Sequence, residues 1–365
     1  MPIVQGNIGS LTHVKQELER QGIGEFRSLQ EVMAFQNAFT VFQQEVLDRT
    51  KQRLQQELVR LPQEIAEQTQ ENIRLKQETE ARLLQKKQGL EAHIEQLNRD
   101  TNNQMMSKLL RCLRRRLMQW RWRKLHRNSP REVEKVCRPA REKLNDLNRR
   151  HSYLQERFGE ALKESCRNEL EELQRKKDVI DNLSSFIYGA LGEQQVVQAL
   201  SELPNSYTLF NDFTLSFRKA LYHRQEDAYI KSVQADHVLV GPSGVFLIET
   251  KNWSRYSLQD QNLRSPVQQI QRTGYVLYRL FKGRLAAANL SLVAHHWGAR
   301  KIPIRNLIVF TQQKPLGEFD YVKILSLSEL PGYIRSFKPV FSAAETQEIS
   351  KFLLDLKAES KIKDV

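Results

Sequence analysis

The sequence predicts a long α-helical coiled coil followed by a mixed α/β domain. Three observations carry this. Leucines recur at seven-residue steps through the first half, the spacing of a helical seam. The heptads stop around residues 181–189. Beyond them β-rich runs alternate with stretches of helical period, the pattern of a sheet covered by helices. The expected boundaries are an N-terminal segment over 1–33, a coiled-coil hairpin over 34–180 with a basic segment at 104–127, and the α/β domain over 181–365.

The first rod runs from about Ala34 to Arg99, almost without glycine and rich in Gln, Glu, Leu, Lys and Arg. Leu47, Leu54, Leu61 and Leu75 lie on one heptad series, with Leu58 and Ile65 four residues beyond two of its positions. Leu83, Leu90 and Leu97 resume the step after a one-residue shift, beside Ile94. Pro62 interrupts the series. A proline in a helix interior removes a hydrogen bond, so a bend or a restart is expected there. The second rod carries Val133, Ala140, Leu147, Leu154 and Ala161 on a strict heptad, with Leu144 and Phe158 beside them. "NSPRE" reads as its start, with Ser129 as cap and Pro130 at the first helical position. Two such rods suit an antiparallel hairpin, and pairing between two chains fits the pattern equally well.

The joining piece, "MMSKLLRCLRRRLMQWRWRKLHRN", is strongly basic. Lys108 to Arg150 contains sixteen Lys and Arg against four Asp and Glu, so nearly all of the chain's net charge of +14 sits there. Leu109, Leu110, Leu113, Leu117 and Trp120 follow helical spacing. Three readings stand: a solvated helix that closes the hairpin, a nucleic-acid contact, and a contact with an anionic membrane surface or a partner helix. Nucleic acid is placed ahead of membrane because of the sequence downstream. Its contact residues are then Arg111, Arg114, Arg115, Arg116, Arg121, Arg123 and Lys124, since arginine pairs with phosphate through two hydrogen bonds.

Composition narrows the classes further. The 365 residues suit two or three domains. Cys112, Cys137 and Cys166 form no CxxC pair, which argues against a disulfide framework or a zinc site and for a reducing, cytoplasmic setting. No signal-peptide pattern opens the chain, and no window has the uninterrupted apolar length of a membrane span.

In the second half, Ala190–Leu203 has helical period and Tyr207–Phe217 alternates like a strand. Val233–Val240 and Val245–Lys251 are β-rich runs joined by "GPSG", whose Gly241 and Gly244 serve the turn. A helix is expected over Pro266–Leu285, strands over Ile304–Thr311 and Tyr321–Leu325, and closing helices over Leu327–Phe337 and Ala343–Ala358. About 180 residues are enough for a separate core.

Within "ADHVLVGPSGVFLIETKNW", charges interrupt runs that otherwise read as buried strands. With "GPSG" as a four-residue hairpin loop, Val240 faces Val245, and counting outward sets Asp236 opposite Glu249. Glu249 and Lys251, two apart, share a face. Neighbouring carboxylates repel one another, and a hard divalent cation between them removes that penalty. The competing reading is a buried ion cluster without catalytic role.

At this point the run resembles a known family. Asp236 followed by Glu249-Thr250-Lys251 after a hairpin is similar to the D…(D/E)xK signature of the restriction-endonuclease-like superfamily. "LGEQQVVQAL…LP…Y…DHVLVGPSGVFLIETKNW…SPVQQ" resembles, more closely, the nuclease-related domain, NERD. The likeness covers Gly189 to Gln271 well and the remainder weakly. It implies a restriction-endonuclease-like fold and a metal-dependent nuclease acting on DNA. Asp236 and Glu249 match the strand carboxylates that hold Mg²⁺, for which Mn²⁺ substitutes. Glu193 matches an acidic helix residue near the metal, Lys251 the catalytic lysine, and Gln269 the glutamine of an "NPxxQ" element. Ser265 stands where that element has asparagine, and "SRYSLQDQNLRS" lacks the family's glycines and second Trp. His237 is expected to be a packed core histidine, and His295 and His296 to be loop residues. The expected partners are DNA and, through the coiled coil, a second copy of the chain, with the anionic membrane behind. The alternative is a non-catalytic scaffold whose nuclease-like domain binds nucleic acid or a partner without cutting.

Overall fold

The computed structural model describes residues 1–99, 105–224, 226–253, 264–286, 301–315 and 319–361. His295, His296 and the segment 254–263 lie outside the described residues. The chain divides into two compact units, one of Ala38–Gln174 and one of Met1–Asn37 with Arg175–Val365.

The first unit is a pair of long helices. Helix α3 (Phe39–Arg99) and helix α4 (Met105–Glu156) pack together, and α5 (Phe158–Asn182) follows. Their contacts run in opposite chain directions. Arg150 donates to both carboxylate oxygens of Glu57 at 2.7 and 3.0 Å, Trp122 donates to Glu91 at 2.9 Å, and Arg115 to Asn98 at 3.4 Å. The heptad residues Leu54, Leu61, Leu154 and Ala161 form a buried cluster, with Leu58, Leu147 and Phe158 packed on it.

Of the bend or restart expected at Pro62, the restart does not occur, since α3 runs on through it. The helix start expected at Ser129 and Pro130 is corrected, since α4 contains both Pro130 and Pro139. An interior proline costs about 3 kcal/mol, which the apolar contacts on either side along the hairpin offset. Ser129 is accordingly no cap. Its hydroxyl donates back to the Leu125 carbonyl at 2.6 Å, the usual behaviour of a mid-helix serine.

The second unit is built on a mixed sheet. Its strands are β1 (Ile3–Gln5), β2 (Thr208–His223), β3 (Ala228–Gly241), β4 (Gly244–Lys251), β5 (Ile304–Phe310) and β6 (Val322–Ser326), neighbouring in that order. β2, β3 and β4 are antiparallel, while β1 joins β2, and β5 and β6 follow β4, in parallel. Helix α6 (Ser184–Leu200) and the short α8 (Leu330–Arg335) cover one face through Val196, Leu200 and Ile334 against Leu239, Phe246 and Ile248. Helices α7 (Arg264–Ala286) and α9 (Ala343–Lys361) cover the other through Ile270, Leu277, Ile349 and Leu353, against Val238, Val240 and Leu247. Burial on both faces explains why β4 reads as a continuous apolar run.

The N-terminal residues were expected to form a segment of their own. They fold instead into this unit: β1 extends the sheet and α1 (Gly9–Arg20) packs on α6, with α2 (Leu29–Asn37) next in the chain. A three-residue strand shows no readable period, and its partner β2 lies some two hundred residues away in sequence.

The β3–β4 hairpin has the expected register, Val240 opposite Val245, but a tighter turn. Gly241 pairs with Gly244, leaving only Pro242 and Ser243 in the loop. Gly244 takes φ +125°, where a side chain would be strained. A Cβ on Gly241 would meet the Tyr207 ring at 2.2 Å, so this glycine also serves packing.

Candidate active site

The ladder between β3 and β4 ends at His237 and Ile248. One residue further, Asp236 does not continue it. Its carboxylate instead accepts the Thr250 backbone N–H at 2.7 Å, replacing a main-chain bond with a charge-assisted one. Lys251 donates to Oε1 of Glu249 at 2.8 Å, and the Gln269 amide, from α7, donates to Oε2 at 3.2 Å. Glu249 is buried, Asp236 and Lys251 are half-buried, and Gln269 lies at the surface.

Glu193 comes from α6 and is buried. Gly192 lets the helix approach the sheet, for a Cβ there would meet Asn252 Cβ at 3.0 Å and Thr250 Cγ2 at 3.3 Å. The Glu193 carboxylate accepts the Ser10 hydroxyl at 2.5 Å and a backbone bond from Gly9, at the start of α1. Sequence reasoning missed both partners, because nothing in the first ten residues marks them as belonging beside residue 193.

Charge makes these residues one cluster. Burial raises the pKa of Asp236 well above the usual carboxylate range, and the charges of Glu249 and Glu193 raise it further against the opposing effects of Lys251 and the Thr250 N–H. Burial likewise raises Glu193, helped by Asp212 and Glu249. For Lys251, burial alone would lower the pKa, but Glu249 and Asp236 outweigh it and hold the ammonium charged. Asp212 was also missed. The β2–β3 register sets it opposite Asp236, between the pairs Asn211–His237 and Phe213–Ala235. It has φ +46°, and its carboxylate accepts from Gln234 at 3.0 Å.

His237 lies fully buried with Nδ1 2.9 Å from the Asn211 amide oxygen, and burial lowers its pKa to about 3. It is a packed core histidine, as expected. Asn252 ties the site's surroundings together. It donates to the Tyr188 carbonyl at 2.7 Å and accepts from Thr311 at 2.8 Å and Gln312 at 2.9 Å.

The donor chemistry suits a divalent cation, because the carboxylates offer hard oxygens and repel one another without one. Among the described residues no three His, Cys, Asp or Glu side chains already converge as ligands. An ion has to compete with Lys251 and Gln269 for Glu249, and with Ser10 for Glu193.

The seven basic residues expected to contact nucleic acid all lie on α4, in the other unit. Arg114, Arg115, Arg116, Arg121, Arg123 and Lys124 are exposed, while Arg111 is half-buried. No helix among the described residues is long and apolar enough to cross a membrane.

The second unit is thus a mixed sheet with helices on both faces, whose central hairpin brings Asp236, Glu249 and Lys251 to one end. Residues 188–311 match the family model of the nuclease-related domain, NERD. No curated protein and no solved structure matches the chain. The matched span begins in α6 and ends just after β5, so Gly9 and Ser10, which hold Glu193, come from outside it.

Proposed function

We propose that the protein is a metal-dependent nuclease that hydrolyses phosphodiester bonds in DNA. The observation that supports this reading is the clustering of Glu193, Asp236 and Glu249 around the charged Lys251 at one end of the β3–β4 hairpin. Asp236 and Glu249 would hold Mg²⁺ or Mn²⁺, with Glu193 beside them. A bound cation supplies charge stabilisation at a phosphoryl oxygen and a more acidic water. Lys251 presents its ammonium to the phosphate as charge develops there. Gln269 fixes the orientation of Glu249, and Ser10 that of Glu193.

The helical pair α3–α4 is read as an intramolecular coiled coil whose basic end is a binding element belonging to the other compact unit. All three cysteines are free, which supports a reducing, cytoplasmic setting.

One observation favours the non-catalytic scaffold: both oxygens of Glu249 are already engaged, by Lys251 and Gln269, as in a self-contained ion cluster. Cleavage of supercoiled plasmid with Mg²⁺ or Mn²⁺ separates the two. The nuclease nicks or linearises the plasmid only with metal, and Asp236→Ala and Lys251→Ala both lose the activity. Wild-type protein that shifts DNA yet cuts no plasmid, single-stranded DNA or RNA with either metal establishes the scaffold. Activity that survives in both variants belongs to a contaminant.

A further inference from the structure

Between residues 109 and 127, helix α4 has two different faces. Arg111, Met118, Trp122 and Leu125 are half-buried, and Trp122 bonds Glu91 of α3, so this side faces the partner helix. At about 100° per residue, Leu109, Leu113, Leu117 and Trp120 fall in one sector on the far side, with Leu110 at its border. They are 62%, 59%, 46%, 56% and, for Leu110, 56% exposed. The leucines expected on one apolar face of this helix therefore lie away from the partner helix. The same helical spacing sets Arg114 and Arg121 along one edge of this stripe and Arg116 and Arg123 along the other. Lys124 Nζ lies 5.0 Å from the Trp120 ring centre. No acidic residue occurs from Leu109 to Arg127.

We propose that this stripe docks the arm on an anionic lipid bilayer, lying along the surface with its leucines and Trp120 at the headgroup–acyl boundary. An interfacial helix combines an apolar face with flanking cations whose long stems reach back to the headgroups. Duplex phosphates would satisfy the arginines but leave five large apolar side chains in water. A second copy would cover the leucines but set two rows of arginines against each other. The exposure of the stripe thus reverses the order in which the sequence alone placed nucleic acid and membrane. Attachment is peripheral, since no described helix has the apolar length to cross.

The test is sedimentation of the full chain with vesicles of phosphatidylcholine alone and with about 30 mol% phosphatidylserine. Wild type pellets with the anionic vesicles only. Leu113→Ser/Leu117→Ser leaves the charge unchanged, and Arg114→Gln/Arg116→Gln/Arg121→Gln leaves the leucines. Each is expected to bind at least about tenfold more weakly, a loss of about 1.4 kcal/mol or more. Both sets lie on exposed positions, so helix content by circular dichroism should match wild type. The proposal is overturned if wild type stays in solution with anionic vesicles, or if the leucine variant pellets as wild type does. A duplex-DNA shift insensitive to the leucine variant, with no pelleting, gives the arm to nucleic acid. A leucine-dependent dimer without pelleting gives it to a second copy.

Discussion

At Asp236 and His237, adjacent residues of β3, burial acts with opposite consequences for pH. The Asp236 pKa is raised above its ordinary 3.8 by burial and by the charges of Glu249 and Glu193. In the unfolded chain this carboxyl ionises earlier than in the fold, so its contribution to stability is present at acid pH and is lost as pH rises through the folded pKa. Asp236→Asn in EDTA should therefore be more stable than wild type to urea at pH 8, with the gap closing by pH 4. A variant less stable at pH 8 would show that the carboxylate is satisfied as an anion. His237 shifts the other way, from 6.5 to about 3 through burial alone. Its contribution is full above pH 6.5 and falls as the pH drops towards 3, by about 1.4 kcal/mol per pH unit. NMR of the imidazole nitrogens should find His237 neutral at pH 5, with Nδ1 protonated towards Asn211. A midpoint near 6.5 would mean that water reaches Nε2. Ser10→Ala leaves the buried Glu193 with one hydrogen bond fewer and should cost about 1 kcal/mol in urea denaturation.

Among the elements, the hairpin helices carry the clearest conflict between local preference and packing. Prolines 62, 130 and 139 all sit inside helices, where the isolated chain would break. Pro62→Ala should restore a main-chain hydrogen bond and stabilise the full chain by about 2 kcal/mol. The lost bond and clash are worth about 3, and the freer unfolded chain returns up to about 1. Thermal unfolding followed by circular dichroism reads this directly, and an unchanged midpoint would mean that the helix has relaxed around the proline. Leu154 is fully buried in the cluster with Leu54, Leu61 and Ala161. Truncation to alanine should cost about 2–5 kcal/mol. A loss below about 1 kcal/mol would show that the opposing helix can collapse into the gap. The heptads were legible because their period is local. The prolines misled because local rules do not count contacts made a hundred residues away.

For the molecule as a whole, the two units divide the proposed activities. The carboxylate cluster lies in the unit formed by Met1–Asn37 and Arg175–Val365, and the basic stripe in Ala38–Gln174. Asp236→Asn should leave vesicle binding as in wild type, and Leu113→Ser/Leu117→Ser should leave plasmid cleavage in lipid-free solution as in wild type. Loss of either activity through the other unit's variant would mean that the two are coupled. The hairpin strands and the Val240–Val245 register were readable from residue spacing alone, since strand period and a short turn leave few alternatives there. The expected pairing of Asp236 with Glu249 was not: the ladder stops at His237 and Ile248, and Asp236 takes the Thr250 N–H instead. The arginines were readable as a basic segment, but their composition did not say which side of α4 faced water.

The sequence by itself determined what is local: the helical hairpin's period, the two-stranded core of the site, and the charge of the arm. The tertiary structure decided the rest. It brought Ser10 and Gly9 to Glu193, set Asp212 opposite Asp236, and carried α4 through its prolines. It also turned the Leu109–Trp120 stripe outward. Each of these depends on which distant segments share a core, and burial free energy, which selects those partners, is a property of the assembled surface rather than of any window of residues.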